Sequence, residues 1–209
     1  MPKDRKPTKP KAVQNRSKIK ERKENIRRNL LGKIRSGGFC VEIGVWRGDF
    51  SETILEIVKP DHLVLIDTWE EPEQAEHSRA LAARAGKASL DKTFQEVQAR
   101  FSNQIRASQV SVIRDYSYNA IPKLDRNSVD FAYLDADHSY EGTLRDLELL
   151  MPCMKIGGVI ACDDYHRRGW WKNGVIRAVN EHIGKHAKTT RILALEGAQV
   201  AFQKMEPMD

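Results

Sequence analysis

Tyr133 to His166 reads YLDADHSYEGTLRDLELLMPCMKIGGVIACDDYH, and the placing of its acids decides the fold. An apolar run stops at Asp135, a second begins after Gly157 and Gly158, and that one stops at Asp163 and Asp164. Carboxylates just beyond buried parallel strands meet at the carboxyl edge of a sheet, where open α/β folds bind their ligands. The three acids therefore mark that edge as the place of function.

Working outward, five short runs share this form: FCVEIG, LVLID, VSVIRD, VDFAYLD and GGVIACDD. Each is rich in Val, Ile or Phe, each ends at or near an acid or the glycine after it, and longer polar or helical stretches separate most of them. Such alternation predicts a parallel sheet with helical crossovers. Downstream, NGVIRAVNEHIGKH predicts a helix with Val175, Ile176, Val179 and Ile183 inward and Asn173 near its start, and RILALEGAQVAFQK predicts two strands about a turn at Glu196-Gly197. The expected fold class is α/β, a Rossmann-like seven-stranded, mostly parallel sheet with an antiparallel C-terminal edge and helices on both faces.

A chain of 209 residues that is 40% hydrophobic can bury one sizeable core. No run reaches the roughly 18 to 20 apolar residues of a membrane span, and no apolar segment follows the basic start as a secretory signal requires. Cys40, Cys153 and Cys162 are odd in number and lack metal spacing, so they read as reduced core residues of a cytoplasmic protein. The net charge of +6 is uneven: residues 1–29 hold 12 Lys or Arg against 3 Asp or Glu, and the remainder is slightly acidic. The chain divides into a basic tail, 1–29, and a domain, 30–209, with a polar, helix-prone insertion near 70–89 that is either a lid or a solvated excursion. The tail's first ~15 residues have little to bury and are expected to be disordered; from Ser17 a charged helix is expected. A solubilising arm is the favoured reading of the tail, ahead of weak contact with RNA or another polyanion.

VEIGVWRGDFSETIL joins the first strand to a helix. Gly44 and Gly48 permit close backbone approach to a ligand, and Asp49 or Ser51 can cap the helix. The pattern is neither the dinucleotide G-x-G-x-x-G nor the phosphate loop, which disfavours a nicotinamide cofactor or ATP. Asp67 ends the second strand 23 positions beyond Gly44, where an acid in a Rossmann-like sheet accepts ribose hydroxyls.

This loop, with LVLIDTWEE, IRDYSYNAIPKL, the Val129–Tyr165 segment and GVIRAV, resembles the class I S-adenosylmethionine-dependent methyltransferases. Within them it is most similar to macrocin-type sugar O-methyltransferases, and more distantly to catechol and caffeoyl-CoA O-methyltransferases. The resemblance implies that Glu42, Gly44 and Gly48 line the methionine end of S-adenosylmethionine, with Ser51 nearby. It implies that Asp67 holds the ribose, that Asp115 and Ser117 border the adenine, and that Trp69 either stacks near the nucleoside or packs.

By the same resemblance Asp135, Asp163 and Asp164 take the positions of metal ligands in the divalent-cation-dependent members. Three oxygen ligands leave octahedral Mg²⁺ (or Mn²⁺) open positions for water or substrate, and a cation relieves the repulsion of crowded carboxylates. His138 stands where catechol-type members carry a lysine base; an imidazole near ~6.5 is already poised at neutral pH, unlike an amine near ~10.4. The implied reaction is one-step transfer of methyl to a hydroxyl of a small molecule (sugar, vicinal diol or phenol), with His138 as general base. RNA or protein methylation guided by the arm, or a non-catalytic cofactor-binding scaffold, are the alternatives, and a homodimer is a family-like expectation. Trp170 and Trp171, with Arg167 and Arg168, are candidates for substrate contact or for closing the site. Tyr140 and Tyr165 read as packing, and His62, His77, His182 and His186 are assigned to the surface.

Overall fold

Seven strands form one sheet in the order β3-β2-β1-β4-β5-β7-β6. They are β1 (Phe39–Ile43), β2 (His62–Asp67), β3 (Val110–Arg114), β4 (Val129–Leu134), β5 (Met154–Cys162), β6 (Thr190–Glu196) and β7 (Gln199–Lys204). The computed structural model describes residues 11–71 and 86–207, apart from the side chains of residues 11–17, 19 and 20. The first five strands are mutually parallel, and β7 runs antiparallel to both of its neighbours, β5 and β6. The expected sheet is thus present, with β7 as its antiparallel member and β6 as the outer strand.

The alternation along each strand feeds two cores. Cys40, Leu63, Leu65, Phe131, Tyr133 and Ala161 face one side, together with helices α1 (Lys11–Leu31), α2 (Asp49–Ile57) and α3 (Lys87–Arg100). Val41, Ile43, Val64, Ile66, Ala132 and Ile160 face the other, against α6 (Tyr140–Leu150) and α7 (Gly174–Lys185). Two short helices, α4 (Ser102–Arg106) and α5 (Ser117–Ala120), flank β3. All three cysteines are buried and unpaired, as expected of core thiols. Among the described residues, no helix is long and apolar enough to cross a membrane.

Gly157 and Gly158, which interrupt the run before β5, have a steric reason. The β4–β5 register shifts between Val129 and Phe131, and a Cβ on Gly158 would lie 2.8 Å from the Val129 carbonyl oxygen. Only the missing side chain lets the irregular ladder close.

The basic tail departs from expectation. A helix runs unbroken from Lys11 into the domain, so residues 11–15 are helical, while residues 1–10 and the heart of the 70–89 insertion lie outside the described residues. Leu30 and Leu31 at its end are fully buried in the core beside α2. Leu30→Ala should therefore lower unfolding free energy by about 2–5 kcal/mol in urea titrations; an unchanged midpoint would show that the end of α1 is not part of the core.

Candidate active site

The sheet reverses its strand order between β1 and β4, and the two exits lie side by side. At Gly44, with φ 90°, a Cβ would sit 2.0 Å from the carbonyl oxygen of Asp135. Asp67 holds the turn after β1: its Oδ2 accepts the backbone N–H groups of Val45 and Trp46, each at 2.8 Å, and its Oδ1 that of Trp69 at 3.0 Å. A cavity of about 800 Å³ opens over these strand ends. The exits of β1, β2 and β3 contribute Gly44, Trp46, Asp67, Thr68, Asp115 and Ser117 to its wall, and those of β4 and β5 contribute Asp135, His138, Asp164, Trp170 and Trp171.

Glu42, Gly44, Asp67, Asp115 and Ser117 thus share the wall of one cavity. Three other expected cofactor residues stand behind it. Gly48 begins α2 in a left-handed conformation and faces Phe101. Ser51 does not cap α2; it is fully buried and donates to Glu42 at 2.5 Å. Trp69 is buried against Phe94, and its Nε1–H donates to the Trp46 carbonyl at 2.8 Å, so it braces the loop. Asp49, the other candidate cap, pairs with Arg100. Ser117 donates to the buried Asp146, whose carboxyl burial pushes up to about 6.

Asp135, Asp163 and Asp164 do meet, and the tail supplies their counter-charge. Arg27 of α1 donates to Asp135 Oδ2 at 2.6 Å and to Asp163 Oδ2, while Lys23 lies 3.0 Å from Asp163 and 3.5 Å from Asp164. Arg27 also lies over the rings of Phe50 and Tyr133, a cation–π seat that fixes it further. Asp163 Oδ1 accepts from Gln199 of β7 and from the Asp164 N–H. Burial would raise the Asp163 carboxyl, but Arg27 and Lys23 prevail and hold it well below the usual carboxylate range. Burial and the Asp163 charge push Asp135 up.

His138 bridges the other two acids, with Nε2 3.2 Å from Asp135 Oδ1 and 3.1 Å from Asp164 Oδ2. Burial opposes protonation, but these two hydrogen bonds outweigh it and push the imidazole up to about 10. Its ring packs 4.7 Å from that of Trp171, with Trp170 edge-on beyond, so the two tryptophans wall the site. Arg167 and Arg168 are exposed and absent from the cavity wall. Tyr140 and Tyr165 bond to Glu181 and Asn180 of α7.

As a seat for a divalent ion, the three acids are unequal. Both oxygens of Asp163 are committed to Arg27, Lys23, Gln199 and backbone, whereas donor atoms of Asp135, His138 and Asp164 lie within 4.8 Å of one another. An ion on Asp135 and Asp164 would replace the His138 contacts between them and compete with Arg27 for Asp135, whereas one on Asp163 would also have to displace Lys23 and Gln199. Lys23, Arg27 and Gln199 were not among the residues expected at the site. Charge counting places helix cations in solvent, and Gln199 meets Asp163 only through strand order.

Two consequences are measurable. Arg27→Ala should cost about 3–5 kcal/mol in denaturant unfolding, because it strands the buried Asp163 charge, and adding Asp163→Asn should recover most of it. Glu42 is pushed up by burial to about 8, against a weaker lowering by Ser51. Its folded form therefore binds protons that the unfolded chain has released, and stability should decline from about pH 4.5 to pH 8 through this residue. Glu42→Gln should flatten that slope in melts across the pH range; an identical slope would place the charge elsewhere.

Residues 41–165 match the family described as Methyltransferase domain. A protein of Acanthamoeba polyphaga mimivirus is 36% identical over 83 residues, 38% of this chain, and the match spans 37% of that relative's length. The solved structure of the O-methyltransferase NovP shares the fold at TM-score 0.61 with 23% identity, covering 88% of this chain and 79% of that one. An rRNA methylase from Streptococcus thermophilus does so at 0.55 with 14% identity, covering 86% and 94%. The fold is that of the class I methyltransferases, and with more than half of its length matched, this chain belongs to the methyltransferase-domain family.

Proposed function

We propose that the protein transfers a methyl group from S-adenosylmethionine to a hydroxyl of a small molecule, a sugar, vicinal diol or phenol. The observation that carries this reading is that one cavity is lined both by Gly44, Asp67 and Asp115 and by the His138 cluster. A cofactor along the first wall would point its methyl toward the second. Family membership and the likeness to the macrocin-type sequence pattern support the same assignment.

The chain's own residues divide the work. Asp67 and the Gly44 turn seat the nucleoside and amino acid parts, and Trp170 and Trp171 offer flat apolar faces to an acceptor ring while excluding water. In its neutral form His138 would take the acceptor proton on Nε2, the nitrogen that faces Asp135 and Asp164, as the oxygen attacks the methyl in line. Mg²⁺ or Mn²⁺, when bound on Asp135 and Asp164, would polarise the acceptor hydroxyl and offset the two charges that keep His138 protonated. Asp163 stays with Arg27 and orients the β5 exit. Three cations of α1 are paired within the chain: Arg27 and Lys23 meet the acid cluster and Arg28 pairs with Glu56 at the surface. That favours a small acceptor over RNA guided by the arm.

The test is transfer of isotopically labelled methyl from S-adenosylmethionine into a cell extract resolved into small-molecule, RNA and protein fractions, with Mg²⁺ and again with EDTA. Label should enter small molecules and fall with EDTA; label in RNA or protein alone would overturn the reading. With the acceptor in hand, His138→Ala should lower kcat by about 10²–10⁴-fold while cofactor Kd stays within a few-fold. A large loss of cofactor affinity instead would move His138 out of the proton-transfer role.

A further inference from the structure

At the far end of α6 and α7 from the active site, three potential metal ligands converge. Glu148 stands on α6; His182 and His186, four residues apart on one face of α7 and its cap, turn toward it. His182 Nδ1 lies 3.3 Å and His186 Nε2 3.6 Å from Glu148 Oε1, and the two imidazole rings are 4.7 Å apart. A tetrahedral centre with bonds of about 2.0–2.1 Å holds its ligand atoms about 3.3 Å from one another. Both histidine nitrogens stand near that spacing from Glu148, and all three donor atoms lie within 4.8 Å of one another.

A hydrogen-bonded cluster without an ion accounts for these groups less well. His186 Nε2 is buried, has no hydrogen-bond partner, and stops at 3.6 Å from the carboxylate it faces. An orphaned imidazole nitrogen aimed at a carboxylate across a gap too long for a hydrogen bond is costly unless something fills the gap. His182 is fully buried, contrary to its assignment to the surface, and packs against Phe202. Lys185 takes the other oxygen, Glu148 Oε2, at 3.1 Å, which leaves Oε1 directed at the histidines. That contact orients a ligand as outer-shell partners do.

We propose that Glu148, His182 and His186 form a metal site for Zn²⁺, with a water in the fourth position on the side where Glu148 meets solvent. Two imidazoles and one carboxylate suit zinc, whereas all-oxygen sets suit magnesium. The ion would pin α6 to α7 about 12 Å along each helix from the ends that carry the active-site loops. It is independent of the acid cluster at the strand exits.

The full-length protein, stripped with chelator and dialysed, is titrated with Co²⁺ while the visible d–d absorption is followed, and Zn²⁺ is then added as competitor. One tetrahedral Co²⁺ displaced by one Zn²⁺ is expected in the wild type and in Asp164→Asn, whose change lies in the other cluster. His186→Ala and the partly exposed Glu148→Gln should each weaken binding at least about 100-fold, and Zn²⁺ should raise the melting temperature of the wild type but not of these variants. Circular dichroism and a cooperative melt establish that each variant is folded, and either one alone decides the matter. Absence of a tetrahedral band, or equal affinity in a folded His186→Ala or Glu148→Gln, would overturn the site.

Discussion

Everything at the carboxyl edge of this sheet depends on how three crowded carboxylates are kept from repelling one another. Asp163 is fully buried and ionised, a state that water would favour by several kcal/mol over an unpaired place in the interior. The fold answers with Arg27 from α1 and an amide from β7, and His138 spans the remaining two acids. A helix that composition alone assigns to solvent is thereby fixed against the site. Its two buried leucines and the Arg27 side chain anchor its last two turns.

The positions of Asp135 and Asp164 beside His138 show why strand ends are good places for chemistry. β4 and β5 pair in unbroken register over their last four residues, Phe131–Leu134 against Val159–Cys162, so their exits are set by register. The acids therefore keep their spacing while the walls vary. Trp170 and Trp171 sit on the segment between β5 and α7, so this wall of the cavity can vary without disturbing the exits of β1 and β2.

Much of this was legible in the sequence because it is local or periodic. Strands that end in acids, the glycine turn after β1 and the amphipathic α7 all announce themselves within a dozen residues. What was hidden depends on distance along the chain. Arg27 and Asp163 are 136 residues apart, and nothing in the tail's composition distinguishes an inward cation from a solvated one. Ser51 and Trp69 were placed toward the cofactor because the loop is; their burial is decided by Glu42 and Phe94, which lie on other elements. His182 and His186 carried a signal, a four-residue spacing on a helix, that gains meaning only once Glu148 is known to face it.

The closing of β7 between β5 and β6 has a consequence for folding. Gln199 on that strand, 36 residues beyond Asp163, and Arg27 of α1, 136 residues before it, are the groups that satisfy one buried carboxylate. The charge is thus gripped by segments far apart in sequence, and a contact of such long range forms only after the loops between its partners have closed. The pairing of Asp163 is therefore expected among the last contacts of the sheet to form.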